Sequence, residues 1–238
     1  MTRNGAIITG AAKRIGRAIA MELARAGHDI ALHYNTSQEE ALKLQEDVLT
    51  LGVRCELFQL NLSNAGEISL FIEKIKAFNE NCTVLVNNAS IFNRGRFMAT
   101  DIESFDRHFD INFKAPFFLT QQFARNFSTG TIINILDTRI ARTVVEYFAY
   151  TLTKKALWEF TKMAAKELAP AFRVNGIGPG LILPPDGESD DYLDKLSVNV
   201  PMQSRGHPED VVTALKFLIE HTFITGECIF IDGGEHLR

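Results

Sequence analysis

Tyr150 and Lys154, in the stretch "AYTLTKKALW", stand four residues apart, so any helix that contains both puts them on one face. Alone in water a tyrosine titrates at ~10 and a lysine at ~10.4, too high for either to exchange protons readily near neutrality. An ammonium close to a phenol favours the phenolate and brings the tyrosine toward acid–base range. A solvated helix face carries the same spacing in many chains, so the pair needs a third group before it points to chemistry. Thirteen residues before the tyrosine, closing the apolar run "TIINIL", stands Asp137. An acid there can join a proton relay, cap a helix, or face solvent at a strand end, with Thr138 presenting a hydroxyl in its place after a one-residue bulge.

A second group of residues suits an anion. "TGAAKRIG", Thr9 to Gly16, joins an apolar run to a helical pattern, so its backbone N–H groups and the helix dipole face whatever lies beyond the turn. Gly10 permits the tight turn and Gly16 a close helix–strand approach, as in a dinucleotide site. Lys13 and Arg14 place two cations at a helix amino terminus, where they oppose the dipole; a solvated helix start tolerates them, but an anionic partner justifies them better. The second apolar run ends in Asn35, Thr36 and Ser37, with none of the acid that usually holds NAD ribose hydroxyls. The charge balance favours a 2′-phosphate, hence NADPH. Asn87 and Asn88, closing "VLVNN", suit either a loop backbone or a cofactor ribose.

Seven short apolar runs must position these groups: "GAIITG", "HDIALHY", "RCELFQL", "TVLVNNA", "GTIINIL", "FRVNGIG" and "ECIFIDGG". Helical patterns separate them, and parallel neighbours require such crossovers, so the expected fold is α/β: a single-domain, Rossmann-like, doubly wound parallel sheet of seven strands flanked by helices, spanning 1–238. The first helix should be "RIGRAIAMELARAG", with Ile15, Ile19, Leu23 and Ala26 on its inner face and Gly27 stopping it. Residues 183–196, "LPPDGESDDYLDKL", break the alternation and are expected to form a loop over the ligand crevice.

Composition bounds the rest. With 46% hydrophobic and 23% charged residues over 238 positions, the chain can bury one large core. A net charge of −4 with interspersed signs leaves no basic stripe for nucleic acid and no polybasic patch for a membrane, so a small-molecule partner is expected. Cys55, Cys82 and Cys228 match no metal or disulfide pattern, the six histidines form no metal constellation, and the amino terminus has no signal-peptide pattern. The expected place is the cytoplasm, with no metal.

In order along the chain, "TGAAKRIG", "NNAS", Asn112 in "DINFKAPF", "TIINIL", Tyr150 with Lys154, "GPG" at 178–180 and "TGECIFIDGG" resemble the short-chain dehydrogenase/reductase family over essentially its whole length. The resemblance implies that Tyr150 donates a proton, that Lys154 lowers its pKa and binds the nicotinamide ribose, and that Asn112 holds a water of the relay. It extends the cofactor site to Ile15, Asn61, Leu62, Asn88, Ala89, Ser90, Pro179, Gly180, Leu181 and Ile182. The family normally has a serine where this chain has Asp137. A carboxylate there repels the alkoxide of ketone reduction, whereas a ring C=N develops charge on a nitrogen that must be protonated.

Arg14, "NNAS" followed by Phe92, Asp137, Tyr147 with Tyr150, and the ending "DGGEHLR" look like the pteridine reductase branch, including bacterial dihydromonapterin reductases. That resemblance implies a pterin stacked on Phe92, bonded by Ser90, reached by Arg14 and flanked by Asp137, Tyr147 and Tyr150. Plain packing for Phe92 and Tyr147 and a turn role for Ser90 are the alternatives. The branch often has a base where Thr36 stands, which leaves Arg14 and Ser37 to recognise a 2′-phosphate. NADPH-dependent pteridine reduction is thus the leading expectation. A carbonyl reductase using Thr138 or water, and a non-catalytic NADP-binding sensor, are the rivals. Apolar residues on more than one face of "NFKAPFFLTQQFARNF" and "KKALWEFTKMAAKEL" suggest a homotetramer or dimer, with His236 and Arg238 able to reach a neighbour's site.

Overall fold

The computed structural model describes residues 3–185 and 187–238; Asp186, within the expected loop 183–196, lies outside the described residues. Each expected apolar run forms a strand: β1 (Gly5–Ile8), β2 (Asp29–Tyr34), β3 (Cys55–Gln59), β4 (Cys82–Asn87), β5 (Gly130–Ile135), β6 (Phe172–Pro179) and β7 (Cys228–Ile231). They pair in parallel in the order β3-β2-β1-β4-β5-β6-β7. Side chains alternate between the faces, as period-two geometry requires. Ala6, Ile8, Val84, Val86 and Ile133 enter one core, while Ile7, Leu85 and Ile132 enter the other. Burial on both faces is why the inner strands read as apolar runs, while the edge strands β3 and β7 stay partly exposed.

Helices α1 (Arg14–Arg25), α2 (Gln38–Leu49) and α8 (Pro208–Glu220) cover the first face. Helices α3 (Ile68–Phe78), α5 (Ala115–Asn126) and α6 (Phe148–Leu168) cover the second. Of two shorter helices, α7 (Asp190–Ser197) lies beside the crevice end, and α4 (Ile102–Phe109) packs on α6. Chain direction reverses its lateral progress between β1 and β4, which opens a crevice outside their carboxyl ends.

Two local expectations need correction. In α1, Ile19 and Leu23 are buried and Ile15 is partly so, but Ala26 lies exposed beyond the last helical residue and Ala24 takes the inner place. Gly27, at φ +90°, then provides the left-handed turn. Within the expected loop 183–196 a helix, α7, forms with Leu193 buried. Between α4 and α5 the chain takes a wide π turn, Asp110–Lys114. Phe117 on α5 and Met163 on α6 stay exposed, so both helices do carry apolar groups on a second face. No helix among the described residues is long and apolar enough to cross a membrane.

Candidate active site

The expected site residues other than Asn112 line one cleft of about 450 Å³ along the carboxyl ends of the strands. Its first end is the turn after β1. Gly10 and Arg14 both take left-handed backbone, at φ 61° and 56°. Arg14 thus occupies the conformation glycine would fill at no steric cost, and the chain accepts that strain for a long cation. A Cβ on Gly16 would lie 2.2 Å from the Gly10 carbonyl oxygen and 2.7 Å from Asn88 Nδ2, so that packing excludes any other residue.

The Asn88 amide donates to the Thr9 and Gly10 carbonyls at 2.9 and 3.0 Å, tying the β4 loop to the turn. Asn87 turns the other way, toward Thr120 and Asn134 in the core. His33, at the end of β2, accepts the Gly10 N–H at Nδ1 (3.0 Å) and so donates from Nε2 to the Leu60 carbonyl (3.0 Å). Burial brings its pKa down to about 4, which keeps the ring neutral in that bridging role. Its place in the cleft wall had no sequence signal beyond its position at a strand end.

Lys13 and Arg14 open α1, whose first turn holds no acid and whose N-cap makes no side-chain bond. Lys13 nevertheless has a protein partner, Glu40 at 3.0 Å, so its charge does not by itself require a bound anion. Arg14 donates to the Pro184 carbonyl at 2.7 Å and links the turn to the segment before α7. Asn35, Thr36 and Ser37 line the same end with Asn61 and Leu62, and among these wall residues there is no carboxylate. Close backbone packing, an uncapped helix start and an acid-free rim fit a dinucleotide phosphate. Pro179, Gly180, Leu181 and Ile182 form the opposite wall.

At the other end, the strand β5 delivers Asp137 and the first two turns of α6 deliver Tyr150 and Lys154. The Tyr150 hydroxyl donates to Asp137 Oδ2 at 2.7 Å, and both residues are buried. Lys154 Nζ donates to the Ile135 carbonyl at 2.8 Å and lies 5.7 Å from the Tyr150 ring centre. Burial, opposed by the pull of Asp137, brings Lys154 down to about 8. The expected lowering of the tyrosine pKa is reversed here. Burial first, and then the Asp137 charge and hydrogen bond, hold the Tyr150 hydroxyl well above the ordinary phenol range. Tyr150 is therefore a proton holder.

Thr138 does not take over the hydroxyl position. It is buried, and its Oγ1 donates to Asp232 Oδ2 at 2.6 Å, away from the cleft wall. Asp137 does cap the 3₁₀ turn Thr138–Ala141 by accepting the Arg139 N–H at 2.8 Å, so the cap and the cleft contact coexist. Arg139 itself was not singled out in the sequence. Its Nη1 lies 3.1 Å from both Asp137 oxygens, in a contact no spacing rule announces.

Asn112 sits in the π turn, buried and behind the cleft wall. Its Oδ1 accepts from the Ile91 N–H (2.9 Å) and the Ser90 hydroxyl (3.1 Å), while Nδ2 donates to the Ile91 carbonyl (3.0 Å) and to Thr153 Oγ1 (3.3 Å). These bonds fix the loop that carries Ala89, Ser90 and Phe92 into the cleft. Phe92 and Tyr147 stack with ring centres 4.2 Å apart and planes at 8°, and Phe92 meets the Tyr150 ring edge-on at 4.7 Å. Leu183, Pro185, Tyr192, Leu193 and Leu196 complete the mouth, which the sequence located only as a loop.

The carboxyl tail folds back on its own chain. His236 stacks on Phe230 and contacts Asp232, while Glu235 pairs with Arg142 at 2.6 Å. Arg238 follows in the same short turn, its N–H bonded to the Glu235 carbonyl.

Comparison with known proteins agrees with this geometry. A family model described as enoyl-(acyl carrier protein) reductase matches residues 10–236. The oxidoreductase YjdA of Bacillus subtilis is 34% identical over 96% of this chain and 95% of its own. The 3-oxoacyl-[acyl-carrier-protein] reductase FabG of Staphylococcus aureus is 32% identical over 100% and 99%. Among solved structures, FolM alternative dihydrofolate reductase 1 from Brucella canis, complexed with NADP, superposes with a TM-score of 0.94 at 31% identity, covering 99% of this chain and 94% of that one.

Proposed function

The chain belongs to the short-chain dehydrogenase/reductase family and is an NADP-dependent oxidoreductase, and within that family we propose that it reduces a dihydropterin to the tetrahydro form. The observation that carries this reading is the 2.7 Å bond from Tyr150 to Asp137, at the place where a ketone reductase needs a hydroxyl donor. Thr138, the alternative hydroxyl, is committed to Asp232. A carboxylate beside the reacting atom opposes an alkoxide but accepts hydrogen bonds from an aminopyrimidine edge.

NADPH, when bound, supplies the hydride; the Gly10–Gly16 turn, Arg14, Asn35, Thr36 and Ser37 would hold its phosphates and adenosine end, and Lys154, Asn88 and Pro179 to Ile182 its nicotinamide end. The chain's own residues handle the proton. Tyr150, kept protonated by burial and by Asp137, gives its hydroxyl proton to a ring nitrogen of the substrate. Asp137 then accepts the substrate's N–H groups and steadies the pterin edge. Phe92, backed by Tyr147, offers a flat aromatic wall against which a pterin stacks. Ser90, anchored on Asn112, would bond both ligands on this reading.

The similarity to FabG favours a ketone substrate as the second reading. Purified protein is offered NADPH with dihydrobiopterin, dihydromonapterin, dihydrofolate and a panel of ketones, and absorbance at the nicotinamide band is followed. Pterin turnover is expected; turnover of ketones alone would reject the pterin assignment. A homotetramer built through the second faces of α5 and α6, working in the cytoplasm, completes the proposal. Light scattering on the purified protein tests the assembly, and a dimeric mass would revise it.

A further inference from the structure

Arg139 stands out among the charged groups around the cleft because it contacts Asp137, Phe92 and Tyr147 together. Its backbone N–H donates to Asp137 Oδ1 at 2.8 Å, and its Nη1 is 3.1 Å from both carboxylate oxygens. The guanidinium carbon lies 5.2 Å from the Phe92 ring centre and 5.0 Å from that of Tyr147. Those two centres are only 4.2 Å apart, so the guanidinium stands at the side of the stack and touches both rings. The 3₁₀ turn that carries Arg139 is itself pinned. Thr138 holds Asp232, the Ile140 carbonyl accepts from Lys155 at 2.9 Å, and Arg142 pairs with the buried Glu235.

We propose that Arg139 is a positioning residue: it holds the Asp137 carboxylate with Oδ2 toward the Tyr150 hydroxyl and ties that carboxylate to the Phe92–Tyr147 wall. Three donors then share two oxygens. Oδ1 takes the backbone N–H and the guanidinium, while Oδ2 takes Tyr150 and the same guanidinium. A buried carboxylate with its charge met in this way keeps one orientation, and a planar cation suits the narrow space beside two rings better than an ammonium. Lys154, a buried cation nearby, is engaged by the Ile135 carbonyl, so Arg139, partly buried, is the cation bonded directly to Asp137 among the described residues. Its charge also pulls the Tyr150 hydroxyl in the direction opposite to burial and Asp137, as the smaller effect.

The inference rests on the pterin reading only for the choice of substrate. Its test is a double-mutant cycle between Arg139→Ala and Asp137→Asn, with Arg139→Lys as the conservative variant and NADPH binding by fluorescence as the check on folding. Expected are a fall in kcat of about tenfold or more for Arg139→Ala, an NADPH Kd within about twofold of wild type, and partial recovery on adding low concentrations of guanidinium ion. Asp137→Asn and the double variant should then be about equally slow, because the arginine acts through the acid. Losses that multiply, a Kd that rises as kcat falls, or absence of any rescue overturn the proposal.

Should Arg139→Ala fail to fold, the Arg139→Lys variant and a crystal structure of Arg139→Gln decide it. A rotated Asp137 side chain supports the role, and an unchanged bond from Tyr150 to Asp137 overturns it. Failure of the pterin reading itself shows in the wild type, as ketone turnover without pterin turnover, and the same cycle is then run with the ketone.

Discussion

The hydroxyl of Tyr150 and the carboxylate of Asp137, thirteen residues apart in the chain, share a 2.7 Å hydrogen bond at the carboxyl end of the central sheet. The bond joins a residue that opens a helix to one that closes a strand, and together with burial it holds the Tyr150 hydroxyl above the ordinary phenol range. Replacing Asp137 with serine removes the acceptor and restores the hydroxyl common in ketone reductases. Pterin turnover should fall at least about tenfold while NADPH affinity changes little. Steady-state kinetics beside a binding titration checks this, and equal wild-type and variant rates would remove Asp137 from the mechanism.

Arg14 combines two separable properties, a cation facing the cleft and a left-handed backbone at φ 56°. Glycine at this position should raise stability by about 1 kcal/mol by relieving the strain, yet weaken NADPH much more than NADH. Arg14→Ala should lose the same affinity without the gain in stability. Thermal unfolding and paired Kd measurements for the two nucleotides separate the effects; unchanged affinity for both nucleotides would contradict the charge argument.

His33 makes stability depend on pH with a definite sign. Its folded pKa is about 4 against 6.5 for the free side chain, so between those values the unfolded chain binds a proton that the folded one refuses. Stability from this group is full above pH ~6.5 and declines as the pH falls toward 4, by roughly 3 kcal/mol in all. Denaturant melts at pH 7 and pH 4.5 measure the decline, and His33→Gln should flatten it.

Lys154 imposes a limit on the alkaline side. Its pKa of about 8 means that the free protein loses this charge as the pH rises through that value. With the ammonium gone, the nicotinamide ribose and the neighbourhood of Tyr150 lose a cation. The ratio kcat/KM for NADPH, which reports the free protein, should therefore fall above pH 8. Lys154→Met should be slow at all pH values and lack that fall.

The five inner strands were legible because they are buried on both faces and so read as largely apolar runs, whereas the edge strands β3 and β7, partly exposed, were legible mainly from their place in the alternation with helices. Gly10, Gly16, Tyr150 and Asp137 were legible because position relative to those runs fixes their end of the sheet. Arg139 was not, since its side chain returns to the residue two before it only through a 3₁₀ turn that periodicity does not predict. Glu40 was equally hidden as the partner of Lys13, because α1 and α2 meet only in the folded chain. The direction of the Tyr150 shift depends on burial, which outweighs the pull of the Arg139 guanidinium and has no sequence signature of its own.

The π turn at Asp110–Lys114 inserts an extra residue into the helical path from α4 to α5. Each residue of an α-helix turns the chain by about 100°, so this insertion sets the angular phase of everything that follows. Asn112 meets the Ser90–Ile91 loop while Leu119 and Phe123 still face the core, and both conditions hold only at this segment length. Residue number is therefore under tighter constraint here than residue type. Conservative changes at Ile111 leave the phase intact, whereas a one-residue deletion would swing either the asparagine or the apolar face of α5 out of place.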